Sequence, residues 1–155
     1  MLEIGQLAPD FTLQDQNGRK HSLKDLKGQH TLIYFYPKDD TTGCTVQACA
    51  LRDNLEDLEA DGLDVFGMSA DGVESHKKFA EKYNLPFPVL ADPDKDTMVA
   101  YQAYGERSMY GRKFMGGIRS AVIIGPELTI EAHWPKISPL KTVPEAKKWM
   151  KEHNH

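Results

Sequence analysis

The sequence is poor in cysteine, with only Cys44 and Cys49 among its 155 residues. Small secreted domains that depend on disulfides are cysteine-dense, so this class of protein is excluded. A disulfide between two cysteines so close in sequence closes a small loop, where the entropic stabilisation by a cross-link is least. The two cysteines therefore indicate chemistry more than a structural bridge.

The chain also lacks the features of membrane and nucleic-acid-binding proteins. No apolar run approaches the ~20 residues that span a bilayer, and residues 1–4 have neither the basic flank nor the apolar core of a secretory signal. The formal net charge is −4, with acidic and basic residues interspersed, whereas a phosphate backbone requires a clustered basic face. We therefore expect a cytoplasmic protein with no membrane or nucleic-acid partner.

Histidines are few and dispersed, at positions 21, 30, 76, 133, 153 and 155. Together with the two cysteines they do not give the ligand spacing of a tetrahedral zinc site. His153 and His155 could chelate a metal adventitiously, but a frayed terminus is the simpler interpretation. The pattern disfavours a metal-binding module.

The composition is that of an ordinary globular protein, with 40% hydrophobic and 27% charged residues. A chain of this length can bury roughly 68–70% of the surface that its unfolded form exposes. Because no linker, repeat or shift in composition interrupts it, we expect residues 1–155 to form a single domain.

Periodicity and turn signals predict the secondary structure. Asn17-Gly18 is a hairpin signal between strands at 11–13 and 20–22, and the β-branched and aromatic run 31–36 is typical of a central strand covered on both faces. The later elements are predicted as a helix over 45–61, a strand over 64–69, a helix over 73–83, a strand over 87–91, a short helix over 97–104, an antiparallel pair of strands over 120–124 and 128–134 joined by 125–127, and a closing helix around 143–150. Parallel strands in the first half of the chain and an antiparallel pair near its end predict a mixed β-sheet flanked by helices. This is an α/β, thioredoxin-like fold with an N-terminal β-hairpin.

Cys44 is predicted to lie where the polar loop 38–43 meets a helix. The first N–H groups of a helix lack intrahelical acceptors and its dipole is positive there, so a thiolate is favoured. Gly43 permits close approach of backbone and substrate, and Thr41 could direct its hydroxyl at the sulfur or a bound oxygen, or simply cap the helix. A buried, inert cysteine is the alternative, but the threonine- and glycine-rich neighbours are a poor core environment.

Cys49 lies five residues further on in the predicted helix. In a straight helix that spacing separates the two Cα atoms by about 8.7 Å, whereas a disulfide requires less than about 7 Å. A disulfide between Cys44 and Cys49 therefore requires the helix to unwind locally. The alternative is a buried helical cysteine that faces the core.

These residues carry a resemblance to a known family. Pro37, Thr41 and Cys44 match the Pro-x-x-x-Thr-x-x-Cys signature of peroxiredoxins. The flanking segments 35–39 (FYPKD) and 43–49 (GCTVQAC) resemble the bacterioferritin-comigratory (Q-type) branch. The similarity extends over essentially the whole chain, with further matching blocks at 8–11, 104–106, 109–111 and 117–120.

The resemblance implies a thiol-dependent peroxidase. Cys44 would be the peroxidatic cysteine, Thr41 its hydrogen-bonding partner, Pro37 its shield from solvent and Arg119 the cation beside it, although an arginine at the start of a strand is by itself more often solvated. Cys49 would be the resolving cysteine that condenses with the Cys44 sulfenic acid, and thioredoxin would reduce the disulfide. The resemblance implies no metal or organic cofactor and favours a monomer.

Some points stay open. Gln47 stands where many relatives have Glu, and the segment 109–114 before Arg119 either borders the active site or is an exposed loop. A thiol–disulfide oxidoreductase would require Cys-x-x-Cys rather than this spacing, while a non-enzymatic redox sensor would use the same Cys44 chemistry. Both hydrogen peroxide and alkyl hydroperoxides are candidate substrates.

Overall fold

The computed structural model describes residues 2–153. Its strands are β1 (Thr12–Gln14), β2 (Lys20–Ser22), β3 (His30–Phe35), β4 (Leu63–Ser69), β5 (Val89–Ala91), β6 (Tyr104–Met109), β7 (Arg112–Gly117), β8 (Ser120–Ile124) and β9 (Ile130–Trp134). Its α-helices are α1 (Thr42–Asp53), α2 (Leu55–Ala60), α3 (Val73–Tyr83), α4 (Asp96–Ala100) and α5 (Thr142–His153). Two short 3₁₀ turns span Leu23–Leu26 and Pro139–Lys141.

Seven strands form one mixed sheet in the order β2-β1-β5-β4-β3-β8-β9. Strands β3, β4 and β5 run parallel, whereas β8 is antiparallel to β3 and β9 is antiparallel to β8. At the other edge β1 and β2 form the predicted N-terminal hairpin. This arrangement confirms the predicted thioredoxin-like α/β fold.

The central strand β3 places alternate side chains in two cores, because successive residues of a strand face opposite sides of the sheet. Leu32 and Tyr34 join a cluster that α1, α2, α3 and α5 cover. Ile33 and Phe35 join a second cluster with α4 and the N-terminal segment. Helices on both faces of the sheet are therefore confirmed, and no described helix is long and apolar enough to cross a membrane.

The prediction of a single helix over 45–61 is wrong in two respects. The helix begins earlier, at Thr42, and it breaks at Asn54, which separates α1 from α2. Asn54 has φ −111° and ψ 6°, and its side-chain amide donates to the carbonyl oxygen of Ala50 at 2.8 Å. An asparagine side chain competes for backbone partners in this way, so it interrupts a helix that the leucine spacing alone would continue.

The segment predicted as a short helix followed by a loop is also different. Helix α4 ends at Ala100, Gln102 takes a left-handed φ of 59°, and the chain then forms the β6–β7 hairpin as a separate two-stranded sheet. Both turn residues, Tyr110 and Gly111, have positive φ, as the common two-residue hairpin turn requires. The exposed strands lack a clear apolar alternation, so sequence periodicity does not reveal them.

The remaining boundaries shift by one or two residues. Strand β9 begins at Ile130 rather than at 128, because Leu128 takes a left-handed φ of 66° and belongs to the turn. The antiparallel pairing of β8 and β9 is confirmed. Strand β5 begins at Val89, two residues later than predicted, and β4 begins one residue earlier, at Leu63.

Candidate active site

Cys44 lies inside the first turn of α1, as its third residue. Its N–H is thus among the first four of the helix, which have no intrahelical acceptor. The residue is 1% exposed and belongs to the same apolar cluster as Tyr34 and Tyr36 of the central sheet. Burial raises the pKa of Tyr34 well above its ordinary value, and the proximity of Cys44 adds to this effect. The phenol therefore stays neutral beside the sulfur.

Thr41 is the residue immediately before the helix, with an extended backbone at φ −88° and ψ 157°. Its side chain makes no capping bond to a helical N–H. The hydroxyl instead donates to the carbonyl oxygen of Lys38 at 2.9 Å. The hydrogen of Thr41 is therefore engaged, and the lone pairs of its oxygen are left to accept a bond from a molecule in the site.

Pro37 follows the central strand and is half-buried. It lies against Gly117 at the end of β7, where an added Cβ would stand 3.0 Å from the Pro37 Cα. The absence of a side chain at Gly117 thus allows the hairpin and the loop that carries Pro37 to pack directly together.

Arg119 immediately precedes β8, whose first residue, Ser120, is paired with Phe35 near the carboxyl end of β3. This register brings Arg119 to the first turn of α1. The Nη2 atom lies 2.9 Å from the position that a Cβ on Gly43 would take, and Nη1 donates to Oε1 of Gln47 at 2.8 Å. The guanidinium therefore reaches residues on both sides of Cys44 in the chain.

Gln47 holds this arginine from a fully buried position. Its Nε2 donates to Oγ1 of Thr142 at 2.9 Å, and the Thr142 hydroxyl donates to the carbonyl oxygen of Ser138 at 3.1 Å. The amide of Gln47 thus accepts from Arg119 through its oxygen and donates to Thr142 through its nitrogen, whereas a carboxylate only accepts. The sequence marked Gln47 only as a departure from relatives, and its contact with Arg119 had no local signal.

Beside Arg119 is an open cavity of about 640 Å³. Its lining includes Glu106, Arg107, Ser108, Ile118, Arg119, Lys136, Ile137 and Ser138. The β6–β7 hairpin therefore borders the site through β6. Met109 and Tyr110, at its tip, are 51% and 98% exposed. The predicted segment 109–114 thus belongs to an element that flanks the site, while its apolar tip faces solvent.

Cys49 lies in the same continuous helix as Cys44 and is partly exposed. Both cysteines are free thiols in this structure. Because α1 runs unbroken from Thr42 to Asp53, the separation of about 8.7 Å expected for a helix applies to their Cα atoms. In this conformation the two residues are too far apart to bond.

A second buried polar cluster lies behind the loop that carries Pro37 and Thr41. Side-chain ligand atoms of Asp39, Asp71 and His76 lie within 4.8 Å of one another. The sequence shows His76 only as one of six dispersed histidines, within the predicted helix over 73–83, and gives no sign of its contact with the two aspartates. Of the two histidines near the C-terminus, His153 stacks on Trp149 in α5, and His155 lies outside the described residues.

Comparisons with known proteins agree with this geometry. The model of the AhpC/TSA family matches residues 4–133. The chain belongs to this family, in its Bcp/PrxQ-type peroxiredoxin branch. It is 44% identical over 136 residues to the "Putative peroxiredoxin bcp" of Coxiella burnetii, covering 88% of this chain and 90% of that protein. It is 40% identical over 152 residues to "Peroxiredoxin Bcp" of Escherichia coli K12, covering 98% and 97% of the two chains.

Solved structures show the same relationship. Peroxiredoxin Q of Xanthomonas campestris superposes with a TM-score of 0.89 at 30% identity, over 99% of this chain and 97% of that chain. A second structure, of the bacterioferritin comigratory protein from the same organism, has a TM-score of 0.82 at 28% identity over 97% and 96% of the two chains. Its description concerns alkyl peroxide reduction activity. The present chain is thus a peroxidase of the peroxiredoxin family.

Proposed function

We propose that this peroxiredoxin reduces hydrogen peroxide and organic hydroperoxides at Cys44 and resolves the oxidised cysteine with Cys49. The observation that carries the proposal is the position of Arg119. Its guanidinium lies over Gly43 and is tied to Gln47, so a fixed positive charge adjoins a cysteine in the first turn of a helix. Such a charge can stabilise the negative charge that develops on the departing peroxide oxygen.

In the first step the Cys44 thiolate attacks one peroxide oxygen. The S–O bond forms as the O–O bond breaks, and the leaving alkoxide or hydroxide takes a proton to become an alcohol or water. Arg119 and the free N–H groups of the α1 start stabilise the developing negative charge, while the Thr41 oxygen accepts a hydrogen bond from the peroxide. Pro37 shields the sulfur from solvent. The product is a sulfenic acid at Cys44.

In the second step Cys49 attacks the sulfenic sulfur, a disulfide forms, and the hydroxyl group leaves as water. An external dithiol, which we propose to be thioredoxin, then attacks the disulfide and returns both cysteines to thiols. Because the helical spacing of the two residues exceeds the disulfide limit of about 7 Å, α1 has to unwind between them before the bond closes. The partial exposure of Cys49 supports its access to a partner.

The experiment that tests the proposal follows peroxide consumption with thioredoxin, thioredoxin reductase and NADPH. Wild type should turn over, and Cys44→Ser should be inactive. Cys49→Ser should consume one equivalent of peroxide and then stop. Full activity in Cys44→Ser would refute the assignment of the reactive cysteine, whereas full turnover in Cys49→Ser would refute only the resolving role.

We further propose that the protein acts in the cytoplasm as a monomer, which is what the family resemblance favours. Light scattering coupled to size-exclusion chromatography, on the reduced and the disulfide form, measures the assembly state directly. A mass of twice that of the chain in the reduced form would contradict the monomer.

A further inference from the structure

The loop of residues 37–41 connects the central strand to α1 and carries both Pro37 and Thr41. Within it, Asp40 has a left-handed φ of 59°, a conformation that non-glycine residues adopt uncommonly. The loop conformation is therefore held by contacts with other elements. Asp40 accepts from Lys82 and from the Tyr83 hydroxyl at 2.8 Å each, but its ion pair with Lys82 is exposed, and exposed ion pairs contribute little.

The buried contacts of the loop converge on Asp39, which is 8% exposed. Its Oδ2 accepts from the Ser75 hydroxyl and from Nδ1 of His76, at 2.7 Å each, and its Oδ1 accepts from the Tyr36 hydroxyl. Burial, with the neighbouring Tyr34 and Asp39 adding to it, raises the pKa of Tyr36 well above its ordinary value, so this phenol remains a donor. The backbone N–H of Asp39 donates to Asp71 at 2.9 Å.

His76 is fully buried in α3 and faces an acceptor on each side of its ring. Nδ1 lies against the Asp39 carboxylate, and Nε2 lies 2.9 Å from the carbonyl oxygen of Leu90. A carbonyl oxygen only accepts, so Nε2 carries a hydrogen. The ring therefore contacts the active-site loop through Asp39 on one side and β5 through Leu90 on the other.

We propose that Asp39 and His76 are positioning residues of the peroxidase reaction. They act through the backbone of residues 37–41 and hold Pro37 and Thr41 in the arrangement that receives the peroxide. Neither side chain touches the sulfur or the substrate in this role. The inference rests on the function proposed for Cys44, and it assigns a part in catalysis to α3, an element outside the peroxiredoxin signature.

The hydrogen bonds that Asp39, Asp71 and His76 already make argue against a metal ion in this cluster. Both oxygens of the Asp39 carboxylate and Oδ2 of Asp71 already accept from hydroxyl, ring or backbone donors, including the Ser69 hydroxyl at 2.7 Å from Asp71. Both ring nitrogens of His76 already lie against an oxygen acceptor, Asp39 or Leu90, whereas a metal-binding imidazole offers a free lone pair. The cluster is therefore built as a hydrogen-bonded bridge.

Two substitutions of His76 separate positioning from packing. The amide nitrogen of Asn reaches the place of Nδ1 and keeps the bond to Asp39, whereas that of Gln reaches the place of Nε2 and keeps only the bond to Leu90. Gln also fills the buried space better, so His76→Gln should unfold at the higher temperature of the two. If His76 has a purely structural role, His76→Gln should react faster with peroxide than His76→Asn. If His76 is a positioning residue, His76→Asn should react faster.

The measurement is the second-order rate constant for oxidation of Cys44 by hydrogen peroxide, in the Cys49→Ser background so that only the first step occurs. Displacements of about 1 Å can lower a rate by about a hundredfold, and we expect His76→Gln to react ten- to a hundredfold more slowly than its parent. His76→Asn should retain most of the rate. Alkylation of Cys44 by iodoacetamide, which does not use the peroxide-binding loop, should proceed equally in all variants.

Two further variants make the experiment decisive. Ser75→Ala removes one donor to Asp39 without altering the buried ring and should slow the peroxide reaction by a smaller factor. Lys77→Gln, on the exposed face of the same helix, is the matched control and should react like its parent. Equal rates for His76→Gln and His76→Asn, or a parallel loss of alkylation, would overturn the proposal. A parent protein that does not react with peroxide would instead overturn the proposed function itself.

Discussion

Gly43 illustrates how one missing side chain sets the geometry around Cys44. The sequence predicts that Gly43 permits close approach of backbone and substrate. The structure shows that a protein group, the guanidinium of Arg119, occupies that space, with Nη2 2.9 Å from the Cβ position. The absence of a Cβ therefore determines how near Arg119 lies to the helix start.

Substituting Gly43→Ala should separate activity from stability. The new methyl group must displace the guanidinium, which is the free end of a flexible side chain, so the fold should tolerate it. The oxidation of Cys44 by peroxide should slow by roughly ten- to a hundredfold. Stopped-flow oxidation and thermal unfolding measure the two effects. Gly72→Ala is the control, because no atom lies within 4 Å of its Cβ position, and an unchanged rate in Gly43→Ala would contradict the argument.

Gln47 makes the second contact that fixes the position of the Arg119 guanidinium. Gln47→Met keeps the length of the side chain but removes both polar atoms, leaving Arg119 and the buried Thr142 without this partner. We expect a loss of about 1–3 kcal/mol in the free energy of unfolding, and a slower reaction with peroxide. Denaturant titration and the oxidation rate constant test these expectations. Val46→Ala, on the neighbouring exposed position, should change neither, and a Gln47→Met protein as fast as wild type would show that Arg119 needs no anchor.

The individual helices and strands show which patterns in the sequence are sufficient to predict structure. The apolar run of β3, the Asn-Gly turn of the first hairpin and the amphipathic stripe of α3 each carry a local signal, and all three predictions are confirmed. The break at Asn54 and the β6–β7 hairpin were missed. Their causes are a side-chain hydrogen bond to Ala50 and strands with little buried surface, and neither cause produces a periodic apolar pattern.

The turn of the first hairpin makes its stability depend on pH through Asp15. Burial works to raise the pKa of Asp15, but the hydrogen bonds from His21, Asn17 and Arg19 outweigh it and hold the pKa below its ordinary value of 3.8. The unfolded carboxyl therefore takes up its proton at a higher pH than the folded one. The stabilisation is complete at neutral pH and is lost as the pH falls below that ordinary value.

Asp15→Asn should consequently be less stable than wild type at pH 7, by about 1.5–3 kcal/mol, the contribution of a hydrogen bond to a charged group. The difference should shrink as the pH falls through the lowered pKa of Asp15. Urea titrations at a series of pH values measure it, with Glu59→Gln, an exposed carboxylate of α2, as the control. A difference that persists unchanged in acid would show that the charge of Asp15 is not the cause.

At the scale of the whole molecule, the fold assembles the site from segments that are distant in sequence. The loop and first turn of α1 were predictable because a short contiguous signature contains Pro37, Thr41 and Cys44. Arg119 was identified only through the family resemblance. Its position beside the first turn of α1 depends on the pairing of β8 with β3. The bridge from Asp39 to His76 depends on α3 packing beside the central strand, and such tertiary pairings leave no mark on the local sequence.

The same assembly links the proposed disulfide to the rest of the fold. Gln47 lies between Cys44 and Cys49, so unwinding of α1 has to release its bonds to Arg119 and Thr142. Oxidation should therefore remove hydrogen-exchange protection from amides between the two cysteines and from the start of α5, while β3 stays protected.

Mass-spectrometric hydrogen exchange on the reduced protein and on the isolated disulfide form tests this expectation. Cys49→Ser treated with one equivalent of peroxide is the control, because its Cys44 is oxidised but no disulfide closes, and it should keep the protection of α1. Full protection of α1 in a sample whose mass proves the Cys44–Cys49 disulfide would contradict the expected unwinding. Loss confined to α1, with the start of α5 unaffected, would show that Gln47 does not couple the two helices.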